Sequence, residues 1–471
     1  MYRFRSVENL LEKFHELENQ EIYFAPPEEL NDPMEGFLDI YWRGDKIVWE
    51  KLLQHYIRCL SQVYTLALLL GDSKKIELQD IPLVNWPTGA RMDQDVVNNI
   101  QNSFFKEKTI QDLPDALAKR TNPVRRMELL SYLYFIHSFA VNAVSTEFLK
   151  KQFISHPLSD TNLQNITNGL KKHGNPIQLI NQMEHNNEGI PKMAELLYRI
   201  VGSMIDESIL KAKFNINSIA ASNHFFLLVE FPKHFISRME MLMYPNWYSA
   251  SFLKNCDNSA VWGHYGEQHK GVCLIFKDKI VDGNYELNLN KEYGWNNAGA
   301  QIGMRPQKFI KVEYDSKHVE IDFFRSLGRA PIHVLNQQWY RDSAGNISIC
   351  AQHLTGKSDE WREKYWGNFY RGVSIKLKEW DYEEEYRLVL DDNFVTYNEH
   401  NKRKLQYDFA DLEGIIFGIK TSDEAKMQII KIIEEKCKRA KRTGFDFYQA
   451  YYDINLGKIQ KQKMSQLKFN V

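Results

Sequence analysis

An α+β fold, with a mixed-sheet core built from both ends of the chain and interrupted by a large all-helical insert, is the class this sequence predicts. Three observations predict it. Short strand-like blocks open the chain and return beyond residue 220. Apolar residues recur at three-to-four spacing between about 45 and 214. Gly, Pro and Asn breaks separate these helical stretches. The boundaries drawn on this pattern are 1–44 for the N-terminal part of the core, 45–215 for the insert and 216–471 for the rest of the core. A chain of 471 residues exceeds one ordinary hydrophobic core, so two or three packing units follow from length alone.

The elements follow in order. Tyr2-Arg3-Phe4-Arg5 reads as a strand, Val7 to Leu17 as a helix carrying Leu10, Leu11, Phe14 and Leu17, and Glu21 to Phe24 as a strand stopped by Ala25-Pro26-Pro27. Arg3 and Arg5 are two apart, so a strand sends both guanidinium groups from one face, able to grip an anion such as a pyrophosphate; solvated charges on a terminal strand are the alternative. Leu30 to Gly36 is a turn set by Pro33. Helices are predicted over Lys46–Leu70, Met92–Phe105, Pro123–Phe153 and Pro191–Phe214, with Lys171 to Pro176 as a helix stop. His55, His137 and His185 stand alone and read as packing or surface residues.

Beyond the insert, Phe225 to Val229 and Trp247 to Phe252 read as strands, and Ser249 and Ser251 share a face of the second. Ala260 to Gly271 gathers Trp262, His264, Tyr265 and His269 just before the apolar strand Val272 to Phe276. Trp262 and Tyr265 suit one side of an aromatic clamp for a flat ring, with His264 or His269 donating a hydrogen bond. The two histidines are five apart, unlike the i, i+4 pair that binds zinc, so no metal is expected there. A strand at Lys308 to Tyr314 and helices at Val319–Leu327 and Asp359–Tyr370 follow.

Trp380 to Leu390 then packs three consecutive glutamates among aromatics before an apolar strand. If it is extended from Glu383, then Glu383, Glu385 and Arg387 share a face. Two desolvated like charges suit acid/base or cation-stabilising work, and the plainer alternative is an exposed edge strand pairing a glutamate with Arg387. Strands at Lys404–Phe409 and Gly414–Gly418, a helix at Ser422–Ala440 capped by Thr421 or Ser422, a strand at Phe445–Tyr452 and a basic tail complete the chain.

Composition narrows the function classes. Lys+Arg number 60 against 61 Asp+Glu, so no global charge draws the chain to nucleic acid or to anionic membrane. Aromatic residues make up 13%, which argues for a firmly folded protein with aromatic-lined surfaces or pockets. The five cysteines contain no C-x-x-C and suggest neither a disulfide framework nor a zinc knuckle. The N-terminus enters charged sequence directly, and the apolar run Thr65 to Leu70 is far too short for a bilayer, so a cytoplasmic protein without membrane contact is expected.

Tyr2-Arg3-Phe4-Arg5, Phe24 to Glu35, Trp262-x-x-Tyr265-x-x-x-His269-x-Gly271, Trp380-x-Tyr382-Glu383-x-Glu385-Tyr386-Arg387 and Gly414 to Gly418 together resemble the bacterial domain-of-unknown-function family 2971, which implies no activity by itself. A fainter similarity is to the R-S-E branch of ADP-ribosyltransferases, in the order arginine, Ser-x-Ser, Glu-x-Glu. That resemblance implies NAD as substrate, Arg3 or Arg5 on its pyrophosphate, Ser249 and Ser251 supporting the carboxylate, and Glu385 stabilising an oxocarbenium-like state. Glu383 then orients or deprotonates a protein or nucleic-acid acceptor, and Trp262, Tyr265 and His269 line the nucleotide site. Such an enzyme fits a toxin or phage-defence effector. Two other classes remain open. One is a non-enzymatic ligand sensor whose helical insert carries a protein-partner surface; the other is a metal-dependent nuclease using Asp32, Glu35, Glu383 and Glu385.

Overall fold

The computed structural model describes residues 1–471 apart from 72, 85–93, 159–176, 179, 181–189, 215, 217–218, 278, 298, 352–355, 357, 393–396, 468 and 470–471. The helix stop expected at Lys171 to Pro176, and His185, lie outside the described residues. The chain forms two compact units, both discontinuous. The first is Met1–Leu38, Asn246–Val319 and Phe369–Val471; the second is Asp39–Pro245 and Glu320–Asn368. The expected α+β class stands, with its strands drawn from both ends of the chain. The insert drawn at 45–215 falls inside the second unit, which also takes 39–44, 216–245 and 320–368.

The strands in chain order are β1 (Tyr2–Arg5), β2 (Glu21–Tyr23), β3 (Leu38–Trp42), β4 (Val124–Arg125), β5 (Asn246–Leu253) and β6 (Val272–Phe276). They continue with β7 (Lys279–Val281), β8 (Asn284–Asn296), β9 (Gly299–Lys308), β10 (Ile310–Lys311), β11 (Glu313–Asp315) and β12 (Val319–Asp322). The last are β13 (Ile375–Leu377), β14 (Glu385–Asp392), β15 (Lys404–Tyr407), β16 (Leu412–Phe417), β17 (Asp446–Asp453) and β18 (Lys458–Lys463).

The first unit is organised on an eight-stranded sheet of order β10-β14-β5-β1-β6-β16-β17-β18. β14 pairs β5 along its whole length, Glu385 opposite Leu253 through Asp392 opposite Asn246. β1 pairs β6 from Tyr2 opposite Ile275 to Arg5 opposite Val272. Between these two halves the join is slight: β1 and β5 share the single pair Tyr2 opposite Leu253. Past that pair the strands part, and the chain after β2 takes the vacated edge of β5, with Ala25 and Ser249 exchanging backbone hydrogen bonds of 2.8 Å. One face of the sheet buries Phe252, Leu274, Ile415 and Phe447, together with Ile429 and Ile433 of the helix Asp423–Ala440 and Leu289 and Tyr407 of a second sheet, β2-β15-β8-β7. The other face buries Phe4, Leu253, Trp262 and Ile416.

Several expectations are corrected. Phe225 to Val229 is helical, because it continues the helix Ile219–Phe225 through a π-turn into Phe231–Glu240 and is buried on all sides. A short apolar run surrounded by core carries no period that separates strand from helix. Val319 to Leu327 is the strand β12 followed by a single 3-10 turn rather than a helix. Lys308 to Tyr314 is divided among β9, β10 and β11, and the basic tail contains the sheet strand β18.

The second unit packs the long helices Lys46–Leu70 and Arg126–Lys150 with Gln94–Phe104, Lys108–Ala118 and Ile190–Lys213. His55 and His137 are interior. His137 joins Tyr56 Oη at 2.7 Å and the Leu227 carbonyl at 2.9 Å, and burial lowers its pKa to about 4. Burial likewise lowers His55 to about 3, so both rings stay neutral. No helix among the described residues is long and apolar enough to cross a membrane.

Candidate functional site: a buried charge cluster on the Ser251 strand

The segment from Trp380 does not run extended through Glu383. Lys378–Glu383 is a 3-10 turn, and Glu384 takes a left-handed conformation, φ 47°, which swings the chain into β14 at Glu385. The shared face expected for Glu383 and Glu385 therefore does not arise from strand alternation. Their carboxylates meet by another route, on Lys376 of β13.

Lys376 Nζ lies 2.7 Å from Glu383 Oε2, 3.0 Å from Glu35 Oε1 and 3.4 Å from Glu385 Oε2. Arg387, fully buried, donates from Nε to Glu385 Oε1 at 2.8 Å and from Nη2 to Glu385 Oε2 at 3.0 Å and Glu35 Oε2 at 2.6 Å, while Nη1 donates to the Val373 carbonyl at 3.0 Å. Tyr265 Oη donates to Glu383 Oε1 at 2.7 Å, and the Glu385 amide donates to Tyr314 Oη at 2.9 Å. Three carboxylates and two cations are thus taken out of water together, which is tolerable only because every charge has an opposite charge in hydrogen-bond range.

The electrostatics sort the glutamates. Burial pushes the Glu385 carboxyl up, but Arg387, Lys376 and the Ser251 hydroxyl outweigh it and hold the group at about 2, ionised at any physiological pH. Glu35 goes the other way: its burial and the neighbouring Glu385 charge raise it against the pull of Arg387 and Lys376. Burial opposes the charge on Lys376, and the surrounding Glu385, Glu35, Tyr265 and Glu383 reverse that and raise its pKa.

The residues singled out from sequence fall into three groups. Ser251, Glu385, Glu383 and Tyr265 come together. Ser251 stands opposite Arg387 across the β5–β14 ladder and its hydroxyl bonds Glu385. Arg3 reaches Ser251 from the other side: its Nη1 donates to the Ser251 carbonyl at 3.4 Å and its Nη2 to the Tyr23 carbonyl at 3.2 Å, across the parting between β1 and β5. Burial and the nearby Arg5 lower Arg3 to about 9. Arg5 is engaged elsewhere, bonded to Glu16 by Nε at 2.7 Å and by Nη2, so the two arginines do not form a joint anion grip. Ser249 is buried and its Oγ has no hydrogen-bond partner.

Trp262 is corrected from clamp to core. It is 0% exposed, edge-on to Phe4 at 4.8 Å, stacked with His269 at 6.4 Å and anchored by Nε1 to the Cys256 carbonyl at 2.8 Å. His269 belongs to a locked turn: Glu267, Gln268 and His269 all have φ between 51° and 70°, and the His269 carbonyl accepts from the Lys420 amide at 2.9 Å. Gly418 is required beside it, since a Cβ there would stand 2.3 Å from the His269 carbonyl oxygen and 2.8 Å from that of Gly271. Trp380 and Tyr382 are partly exposed and group with exposed His264; Tyr382 Oη meets His264 Nδ1 at 3.1 Å, and Lys376 Nζ lies 4.5 Å from the Trp380 ring.

A family model described as "Protein of unknown function (DUF2971)" matches residues 261–388. No curated protein and no solved structure matches the chain. The DUF2971 stretch contains Trp262, Tyr265, His269, Lys376, Glu383, Glu385 and Arg387, so it supplies all of the charge cluster except Glu35. Sequence reasoning missed Lys376 as its centre. The available signal was a single lysine in the apolar run Val373 to Leu377, where a charge has to find a partner. As for the four carboxylates of the nuclease alternative, Asp32 accepts from the Met34 amide at 2.9 Å and the other three surround Lys376. Among the described residues no group of three or more His, Cys, Asp or Glu is arranged to hold a metal ion.

Proposed function

We propose that the first unit is an ADP-ribosyltransferase-like catalyst acting on NAD, with Glu385 as its permanently ionised carboxylate. The observation that carries this reading is Ser251. Its strand lies between the strands of Glu385 and Arg3, its hydroxyl holds the glutamate and its carbonyl holds the arginine, although these residues are far apart in sequence.

In this reading the bond between ribose and nicotinamide breaks with its electron pair going to the nicotinamide nitrogen, which becomes neutral. The positive charge left on the ribose is stabilised by Glu385, a role that needs an ionised group and gains from low dielectric. An acceptor nucleophile then forms the new bond to the ribose carbon and its proton passes to Glu383, whose carboxylate already accepts from Tyr265. Trp380 and Tyr382 replace the buried Trp262 as the aromatic platform, and Arg3 acts as a positioning residue for Ser251 rather than as a pyrophosphate ligand.

A second reading is favoured by the burial of Glu385, 2% exposed with both oxygens held by Arg387: a structural charge hub in a non-catalytic ligand-binding protein. One experiment separates the two. NAD loss and nicotinamide release are measured with and without cell lysate for the wild type, Ser251→Ala and Glu385→Gln, with melting curves as the folding control. Turnover that falls at least about tenfold in folded Ser251→Ala supports the catalyst, since one charged hydrogen bond is worth about 1.5–3 kcal/mol. No turnover by the folded wild type under either condition sinks it and leaves the hub.

A further inference from the structure

The hairpin of β8 and β9 carries side chains that the packing of the unit does not use. Trp295 is 65% exposed and Tyr293 48% exposed near its tip. Both line a cavity of about 400 Å³ between the hairpin and the C-terminal end of β14, a size that takes a side chain or small ligand. Glu292, which accepts from Trp295 Nε1, shares the lining with Asp391, Asp392 and Tyr370, and Lys291, tied to Gln307 Oε1, is a cation beside them. Three carboxylates stand against two cations, Lys291 in the lining and Arg305 over the Tyr293 ring, which leaves a net negative charge that repels phosphate and draws a cation.

We infer that this cavity is a docking site for a guanidinium group, the arginine side chain of a protein partner. Rings and carboxylates in one cavity match a flat, weakly hydrated cation that stacks on an aromatic face and bonds a carboxylate with two parallel donors. A compact ammonium uses neither feature as well. The hairpin already contains such a contact, with the Arg305 guanidinium 3.9 Å from the Tyr293 ring centre. Asp391 lies six residues along β14 from Glu385, about 20 Å at about 3.3 Å per residue, so the cavity is separate from the charge cluster and the inference does not rest on NAD chemistry.

The test is saturation-transfer NMR and calorimetric titration of the full chain with N-acetyl-arginine amide, beside the uncharged isostere N-acetyl-citrulline amide and N-acetyl-lysine amide. Arginine should bind, with affinity at least about tenfold above citrulline and lysine, corresponding to about 1.4 kcal/mol. Trp295→Ala and Glu292→Gln should each weaken arginine binding at least about tenfold; Trp295 is exposed and Glu292 half-buried, so melting curves serve as the folding control for both. Failure to bind arginine overturns the inference, as does equal binding of citrulline or lysine. Arginine binding that neither variant weakens places the ligand elsewhere and overturns it too.

Discussion

Replacing Lys376 by methionine keeps most of the side-chain volume and deletes the ammonium that Glu35, Glu383 and Glu385 share at 3.0, 2.7 and 3.4 Å. Arg387 alone would then face three buried carboxylates. Removing one partner from a buried ionic group costs about 3–5 kcal/mol, and the 1% exposure of Lys376 places it at that end of the scale. The loss has a pH signature. Without the ammonium, the carboxylates most opposed by burial, Glu35 first, titrate higher in the folded variant than in its unfolded chain. The folded variant therefore binds more protons than its unfolded state as pH falls, and each pH unit over which it holds one extra proton returns about 1.4 kcal/mol. Urea unfolding at about pH 8 and about pH 5.5, followed by tryptophan fluorescence with Trp380 4.5 Å from Lys376, reads the difference directly. The variant should lag the wild type by the full amount at the higher pH and by less at the lower. A loss below about 1 kcal/mol, or a gap that stays constant or widens on acidification, would refute the account of the cluster as a mutually dependent set of buried charges.

Three further outcomes follow from the same geometry. Glu385, held at about 2 against an ordinary 4.5, contributes stability that is complete above the ordinary value and disappears as pH falls towards 2; in Glu385→Gln that acid-range loss should shrink in an acid titration followed by circular dichroism. Tyr265→Phe removes the 2.7 Å hydrogen bond to Glu383 from a partly exposed site and should cost about 1–2 kcal/mol in urea unfolding, distinctly less than Lys376→Met. Gly418→Ala drives a methyl into the carbonyl oxygens of His269 and Gly271 and should cost about 1–3 kcal/mol. Hydrogen exchange at Lys420, whose amide bonds the His269 carbonyl, should rise in that variant.

How much of this was legible in the sequence depends on whether a residue's role is local. β1, β5, β6 and β16 were found from their own apolar patterns, and the helix Asp423–Ala440 from its Ser422 cap, acidic first turn and basic last turn. Ser251 and Glu385 were singled out on spacing and do meet, because they lie on strands that pair along their full length. Lys376 and Glu35 were not singled out as partners, since the contact joins residues 341 positions apart and no local pattern records it. Phe225 to Val229 misled because a run buried on every side has no period to read, and Glu383 because the left-handed Glu384 breaks the alternation just where it was counted. Trp262 looked like a ligand platform for the reason it is core: a large ring beside a buried strand serves both purposes equally well until its neighbours are known.

The placement of β1 also sets a timetable for synthesis. Arg5 leaves the ribosome about 270 residues before its pair Val272, and Trp262, against which Phe4 packs, comes scarcely sooner than Val272. At about 5–20 residues per second β1 waits about 13–54 s for a partner. The helical unit offers no earlier closure, because its own second segment begins at Glu320. Over that interval the chain carries two unfinished folds at once, and β1 is a segment on which a chaperone has long to act.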